Sequence, residues 1–160
     1  MSSIFDLFRK IETEKAPPAP VTHIVAGLGN YGREYEGTRH NAGFSAIDIL
    51  SDRKKLSVTR AKFDALTDET VINGKRILVM KPQLYMNLSG VSVKKAADFY
   101  KIPAGNIIVI CDDINLDVGK LRIRRKGSDG GQKGLRNIAE QLGTDAFPRI
   151  RVGVGKVPVG

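Results

Sequence analysis

His40 is one of only two histidines in the chain and lies in Thr38-Arg39-His40-Asn41-Ala42-Gly43. That segment is a glycine-rich connection just ahead of an apolar-periodic helix. Imidazole titrates near neutral pH and can take a proton from water, so a histidine placed there is a candidate general base. A surface histidine capping the helix is the plainer alternative. Its company favours the base. Asp112 and Asp113 directly follow the apolar run Ile107-Ile108-Val109-Ile110, at the carboxyl end of a strand, where they can reach the same crevice. A carboxylate on one ring nitrogen fixes the tautomer and stabilises the imidazolium once the other nitrogen has accepted a proton. Taken alone, the Asp pair reads more readily as a strand-end turn or a helix cap.

Two carboxamides could complete such a site. Asn30 stands in Gly27-Leu28-Gly29-Asn30-Tyr31-Gly32 and Asn87 in Tyr85-Met86-Asn87-Leu88-Ser89-Gly90. Each can donate to a carbonyl or an oxyanion, although Asn87 is also the natural N-cap of the helix that follows it. Met86 is either core or the flexible wall of a permissive pocket. Gly127-Ser128-Asp129-Gly130-Gly131-Gln132-Lys133-Gly134 is a second glycine-rich loop that opens a helix. Amides at a helix N-terminus with Lys and Arg beside them make an anion site. Cys111 ends a buried strand and is expected to be inert. Gly27, Gly29 and Gly32 match the dinucleotide pattern G-x-G-x-x-G. The helix, however, begins near Asn41 rather than inside the glycine run, and the candidate acids Asp48 and Asp52 lie within that helix. A dinucleotide-binding protein is therefore a distant alternative.

The charge points to a polyanion. The formal net charge is +9, and residues 1–22 carry none of the excess. Lys120, Arg122, Arg124, Arg125, Lys126, Lys133 and Arg136 are opposed within their segment only by Asp129. Arg53, Lys54, Lys55, Arg60 and Lys62 form another cluster. Nucleic-acid phosphate is the commonest target of such patches, and a merely soluble basic surface is the alternative. With 41% hydrophobic residues and no long uncharged apolar run, a globular protein without a membrane span is expected. Ile4-Phe5-Asp6-Leu7-Phe8 is too short and too charged for a signal peptide. A single cysteine fits a reducing compartment, and no Cys/His cluster suggests a metal.

These residues need a frame to hold them. Ile4, Leu7, Phe8 and Ile11 repeat at helical spacing, and Ala16-Pro17-Pro18-Ala19-Pro20 then breaks the pattern. Residues 1–20 are thus an N-terminal amphipathic helix and Pro-rich linker, and residues 21–160 the domain. Strands are expected at 23–28, 62–68, 106–110, 121–124 and 149–154. Asn73-Gly74 should close a hairpin between residues 71 and 79. Helices are expected near 41–56, 88–100 and 133–142. Leu121-Arg122-Ile123-Arg124 alternates, as a half-exposed strand with outward arginines does. The fold class is α/β: a single three-layer domain whose mixed, mainly parallel sheet is flanked by helices.

Gly27-Leu28-Gly29-Asn30, Thr38 to Gly43, Met86-Asn87-Leu88-Ser89-Gly90, the strand ending in Asp112, and Gly130-Gly131-Gln132-Lys133-Gly134-Leu135 occur in a telling order. In them, from about His23 onward, the chain resembles bacterial peptidyl-tRNA hydrolases. The resemblance implies a compact phosphorylase/hydrolase-like α/β monomer that cleaves the ester joining a peptide to the tRNA 3′ ribose. That reaction recycles peptidyl-tRNA released from ribosomes in the cytoplasm, without metal, cofactor or obligate protein partner. It implies His40 as catalytic base, Asp112 as its orienting carboxylate, and Asn30 and Asn87 as the amides binding the peptide end and the oxyanion. Tyr35 and Met86 would line the crevice. Lys120, Arg122, Arg124, Arg125, Lys126 and Arg136 would hold the acceptor arm, in line with the charge reading.

The chain departs from the family pattern in three places. Asn30-Tyr31-Gly32 replaces the usual Asn-Pro-Gly. Gln132-Lys133 replaces the usual His-Asn, which puts Lys133 at a substrate-binding position and adds a cation that phosphate favours. The chain also stops at Val157-Pro158-Val159-Gly160, where family members continue into a lid and a helix. A truncated C-terminus with exposed apolar surface is expected from that. A catalytically impaired RNA-binding relative of the same fold is the alternative these departures raise.

Overall fold

Among the described residues, seven strands form one sheet in the order β2-β3-β4-β1-β5-β7-β6. They are β1 (Val21–Gly27), β2 (Arg60–Lys62), β3 (Ala65–Ile72), β4 (Lys75–Pro82), β5 (Ile107–Asp113), β6 (Leu121–Arg124) and β7 (Arg149–Gly153). Among the described residues three helices join them: α1 (Ala42–Lys54), α2 (Ser89–Tyr100) and α3 (Lys133–Leu142). The structure, a computed structural model, describes Ile4 and residues 19–30 and 41–156. The expected N-terminal helix, most of the Pro-rich linker, Tyr35, His40 and residues 157–160 lie outside the described residues.

The four central strands β4, β1, β5 and β7 run parallel, and the flanking pairs are antiparallel. Period-two alternation divides their side chains between two cores. Ile24, Ala26, Ile107 and Val109 face Val93, Ala96, Leu135 and Ile138 of α2 and α3. Val25, Val79 and Ile110 face Ile47 of α1 on the opposite side. Both faces being covered explains the unbroken apolar runs of β1 and β5. Each fully buried aliphatic side chain among these contributes roughly 1.5–3 kcal/mol.

The sharpest contact joins β1 to α1. A Cβ on Gly27 would stand 2.3 Å from the Gly43 carbonyl oxygen, and one on Gly43 would stand 2.4 Å from Leu28 N and from Ile110 O. These glycines let the helix rest on the strand ends. That close approach, rather than a pyrophosphate, accounts for the first glycine of the run.

Four expectations need correction. The segment 62–68 is two strands, with a turn at Phe63 and Asp64 whose φ angles are 58° and 55°. No glycine marks that turn; tertiary contacts hold it instead. Ser92 Oγ donates to Phe63 O at 2.6 Å, Gln83 N–H donates to Asp64 O at 2.8 Å, and Phe63 packs on Phe99 and Tyr100. Second, Asp112 and Asp113 belong to β5 itself, because pairing with β7 continues to Asp113. Third, Asn87 does not cap α2; it sits in a 3₁₀ turn, Met86–Leu88, that precedes the helix. Fourth, all four residues of β6 are exposed, apolar and basic alike. The Asn73-Gly74 hairpin forms as its sequence requires, with φ angles of 51° and 75°.

Candidate active site

The carboxyl ends of β1 and β5, the 3₁₀ turn before α2 and the N-terminus of α3 meet around a crevice of about 800 Å³. Asn30, Met86, Asn87, Asp112, Gln132 and Lys133 line it. Five residues that the sequence singled out are thus brought together from four segments: Asn30, Met86, Asn87, Asp112 and Lys133. Tyr35 and His40 lie outside the described residues.

Asn30 is held through its backbone. Its N–H donates to Asn41 Oδ1 at 2.8 Å, and two residues earlier Leu28 N–H donates to Ile110 O at 2.9 Å. Asn41 is buried. Its carboxamide therefore ties the end of β1 to the start of α1. A side chain at Gly29 would collide with Asn41 Oδ1 and the Phe44 ring.

The two adjacent acids have different tasks. Asp113 Oδ1 accepts the Asn115 N–H at 2.8 Å, and its Oδ2 faces Arg151 Nη1 at 3.6 Å. It is a strut between β5, β7 and the following loop. Asp112, 7% exposed, accepts a hydrogen bond on Oδ1 from Gln132 Nε2 at 3.1 Å. Buried acids keep such partners because an unmatched buried charge is costly.

Gln132 also caps α3, with Oε1 accepting the Leu135 N–H at 2.8 Å. Asp129 fixes the loop ahead of it by accepting the Gly131 N–H at 2.8 Å. That bond, then the Arg136 guanidinium, holds the Asp129 carboxyl below its ordinary value. Gly134 has no side chain where Met86 Sδ and Leu28 must fit; a Cβ there would lie 2.8 Å from that sulfur. Ser89 Oγ donates to Met86 O at 2.8 Å and fixes the 3₁₀ turn. The Cys111 thiol, one residue before Asp112, is pushed up to about 12 by burial. It is a packing group at neutral pH.

A second hollow of about 270 Å³ adjoins the first, with Asp113 and Arg151 lining both. Its walls carry Arg122, Arg124, Lys126, Arg149 and Arg151. Register explains the concentration: Arg122 pairs with Arg151 and Arg124 with Arg149 across β6 and β7. Like charges directly opposite repel, and two of the four are buried. Backbone carbonyls offset part of that cost. Arg149 Nη1 donates to Gly127 O at 2.7 Å, and Arg151 Nη2 donates to Asp129 O at 2.6 Å. Burial, then the neighbouring Arg151, lowers the Arg149 guanidinium from its ordinary value. Of the basic residues expected to act together, Arg122, Arg124 and Lys126 converge here. Lys120 and Arg125 line neither hollow, and Arg136 faces Asp129 at 3.4 Å.

Sequence reasoning missed four contributors: Asn41, Gln132, Arg149 and Arg151. Gln132 stood directly before a helix, a position from which side chains cap. The Arg149-Ile150-Arg151 alternation was visible, but its register against Arg122 and Arg124 was not. Among the described residues, no group of three or more His, Cys, Asp or Glu could hold a metal ion. No helix among them is long and apolar enough to cross a membrane.

The peptidyl-tRNA hydrolase family profile matches residues 24–160. The peptidyl-tRNA hydrolase of Caldanaerobacter subterraneus subsp. tengcongensis is 52% identical over 134 residues, covering 84% of this chain and 72% of that protein. The one from Clostridium novyi is 50% identical over 133 residues, covering 83% and 71%. The crystal structure of peptidyl-tRNA hydrolase from Acinetobacter baumannii superposes with a TM-score of 0.81 at 32% identity, covering 89% of this chain and 74% of that one.

Proposed function

From the premise that this chain belongs to the peptidyl-tRNA hydrolase family, and so hydrolyses the ester between peptide and tRNA, we propose that the reaction runs through His40 and Asp112. His40 takes a proton from water, which attacks the ester carbonyl. Asp112 orients the imidazole and stabilises its charged form. Asn30 and Asn87 donate to the tetrahedral oxyanion, and the ribose oxygen leaves as a hydroxyl, taking the proton that His40 holds. An ester has a better leaving group than an amide, so a water-activating pair can serve without a covalent serine intermediate.

The observation that carries this reading is the buried Asp112 carboxylate in a crevice whose walls bear both Asn30 and Asn87. Chain connectivity supports His40, which immediately precedes the Asn41 that holds the Asn30 backbone. Adjacent Cα atoms are about 3.8 Å apart. The glycine run gives no support to dinucleotide binding, since Gly27 and Gly43 accommodate each other.

The hollow formed by Arg122, Arg124, Lys126, Arg149 and Arg151 receives backbone phosphate of the tRNA acceptor arm. Lys133 binds the substrate from the first turn of α3. We place the enzyme in the cytoplasm, where ribosomes make its substrate, and, with the family it resembles, as a monomer. The test is release of N-acetyl-aminoacyl groups from tRNA. Cleavage should vanish in His40→Ala while tRNA affinity stays within about twofold, as expected for a group acting on the transition state. Equal loss of affinity and turnover would overturn the assignment.

A further inference from the structure

One carboxamide at the head of α3 makes two bonds of opposite sense. Gln132 Oε1 accepts the Leu135 N–H at 2.8 Å, while Nε2 donates to Asp112 Oδ1 at 3.1 Å and approaches Met86 Sδ at 3.3 Å. The network leaves one orientation for this amide. A flip would turn the NH₂ group toward a helix N–H and set an oxygen against a carboxylate. The helix cap therefore dictates that a donor faces Asp112. Hydrogen bonds to a charged acceptor are about twice as strong as neutral ones, so this contact can hold the carboxylate in one rotamer.

Resting on the reading of Asp112 as the orienting carboxylate, we propose that Gln132 is the positioning residue of this site: it couples the N-terminus of α3 to Asp112 Oδ1 and sets the carboxylate plane on which the general base depends. The charged groups around the pair are Asp113 from β5, Arg151 from β7, Asp129 in the preceding loop, and Lys133 and Arg136 on α3. Of these, Asp113 and Arg151 answer each other, and Asp129 and Arg136 do likewise. Gln132 is the neutral member, and it adds a donor beside Asp112 without adding a charge.

The experiment measures kcat and KM for N-acetyl-aminoacyl-tRNA cleavage by the full chain, with melting temperatures alongside. Gln132→Met matches the side chain in size and removes both hydrogen bonds. Its kcat should fall about tenfold with KM within twofold, and it should cause no further loss in an Asp112→Asn background. Losses that multiply in the double variant would overturn the proposal, because a mere helix cap acts independently of Asp112. Gln132→Glu covers the case in which the Met variant fails to fold, since it keeps an oxygen for Leu135 N–H. It also sets a carboxylate oxygen where Asp112 Oδ1 now meets a donor, and like charges that close repel. The kcat of Gln132→Glu should therefore fall about tenfold or more with KM within twofold. A kcat equal to the parent's overturns the proposal. A parent chain that cleaves nothing, or an Asp112→Asn variant as active as the parent, would overturn the underlying reading of Asp112 instead.

Discussion

The Asn41 carboxamide oxygen accepts the Asn30 N–H at 2.8 Å, joining the two chain positions that flank residues 31–40. Asn30 lines the crevice, and Asn41 follows the candidate base. Asn41→Ala should leave the half-buried Asn30 N–H without its partner and cost about 1 kcal/mol of stability. Because it loosens Asn30 at the same time, kcat should fall further than KM rises. Chemical denaturation and steady-state kinetics on the same preparation test both parts; unchanged kcat would detach Asn30 from the reaction.

The arginine face predicts a salt effect. Arg122→Glu or Arg124→Glu should weaken tRNA binding and flatten the plot of log affinity against log salt, by about one unit of slope for each phosphate left without its cation. The peptide ester should be cleaved at nearly the parent kcat once tRNA is saturating. A slope identical to the parent's would remove that strand from the interface.

Cys111 makes a prediction about pH. Its thiol rises from an ordinary value of 9.0 to about 12 through burial. The folded protein therefore holds the proton more tightly than the unfolded chain. The Cys111 contribution to stability should be constant below pH 9 and decline as pH climbs toward 12, and Cys111→Ala should reduce that decline. Alkylation by iodoacetamide at pH 8 should be negligible in the native state and complete in denaturant. Rapid native labelling would contradict the burial.

Gly43→Ala should be severe, because the added Cβ meets backbone atoms of Leu28 and Ile110 at 2.4 Å. A destabilisation of about 3 kcal/mol or more is expected, at or above the usual range for overpacking. Gly105→Ala is the control, since nothing lies within 4 Å of its added Cβ. Equal stability of the two variants would refute the close helix-to-strand packing.

The sequence revealed much of this fold because its signals were local. The apolar run at Ile107–Ile110 marked a covered strand, Asn73-Gly74 a hairpin, and the periodicity of residues 133–142 a helix that begins where expected. What stayed hidden depended on partners distant in the chain. The Phe63-Asp64 turn is held by Ser92 and Gln83, which no local pattern connects to it. The same holds in the candidate site. Asp112, Asn30 and Asn87 were identifiable by type and spacing, whereas Arg149 and Arg151 joined the arginine face only through strand register. Gln132 was visible as a departure from a family pattern, but its bond to Asp112 is a matter of tertiary geometry.

The exposed strand β6 has another consequence, for the behaviour of the protein in a crowded solution. Leu121 and Ile123 are 63% and 64% exposed on a sheet edge, the arrangement through which chains recruit one another into intermolecular sheets. Arg122 and Arg124 alternate with them, and the opposite edge β2 begins at Arg60 and ends at Lys62. Positive charge thus guards both open margins of the sheet. The guanidiniums proposed to receive phosphate also act as gatekeepers against aggregation, so selection on either role constrains the other. Variants neutralised at Arg122 and Arg124 should lose solubility as well as affinity.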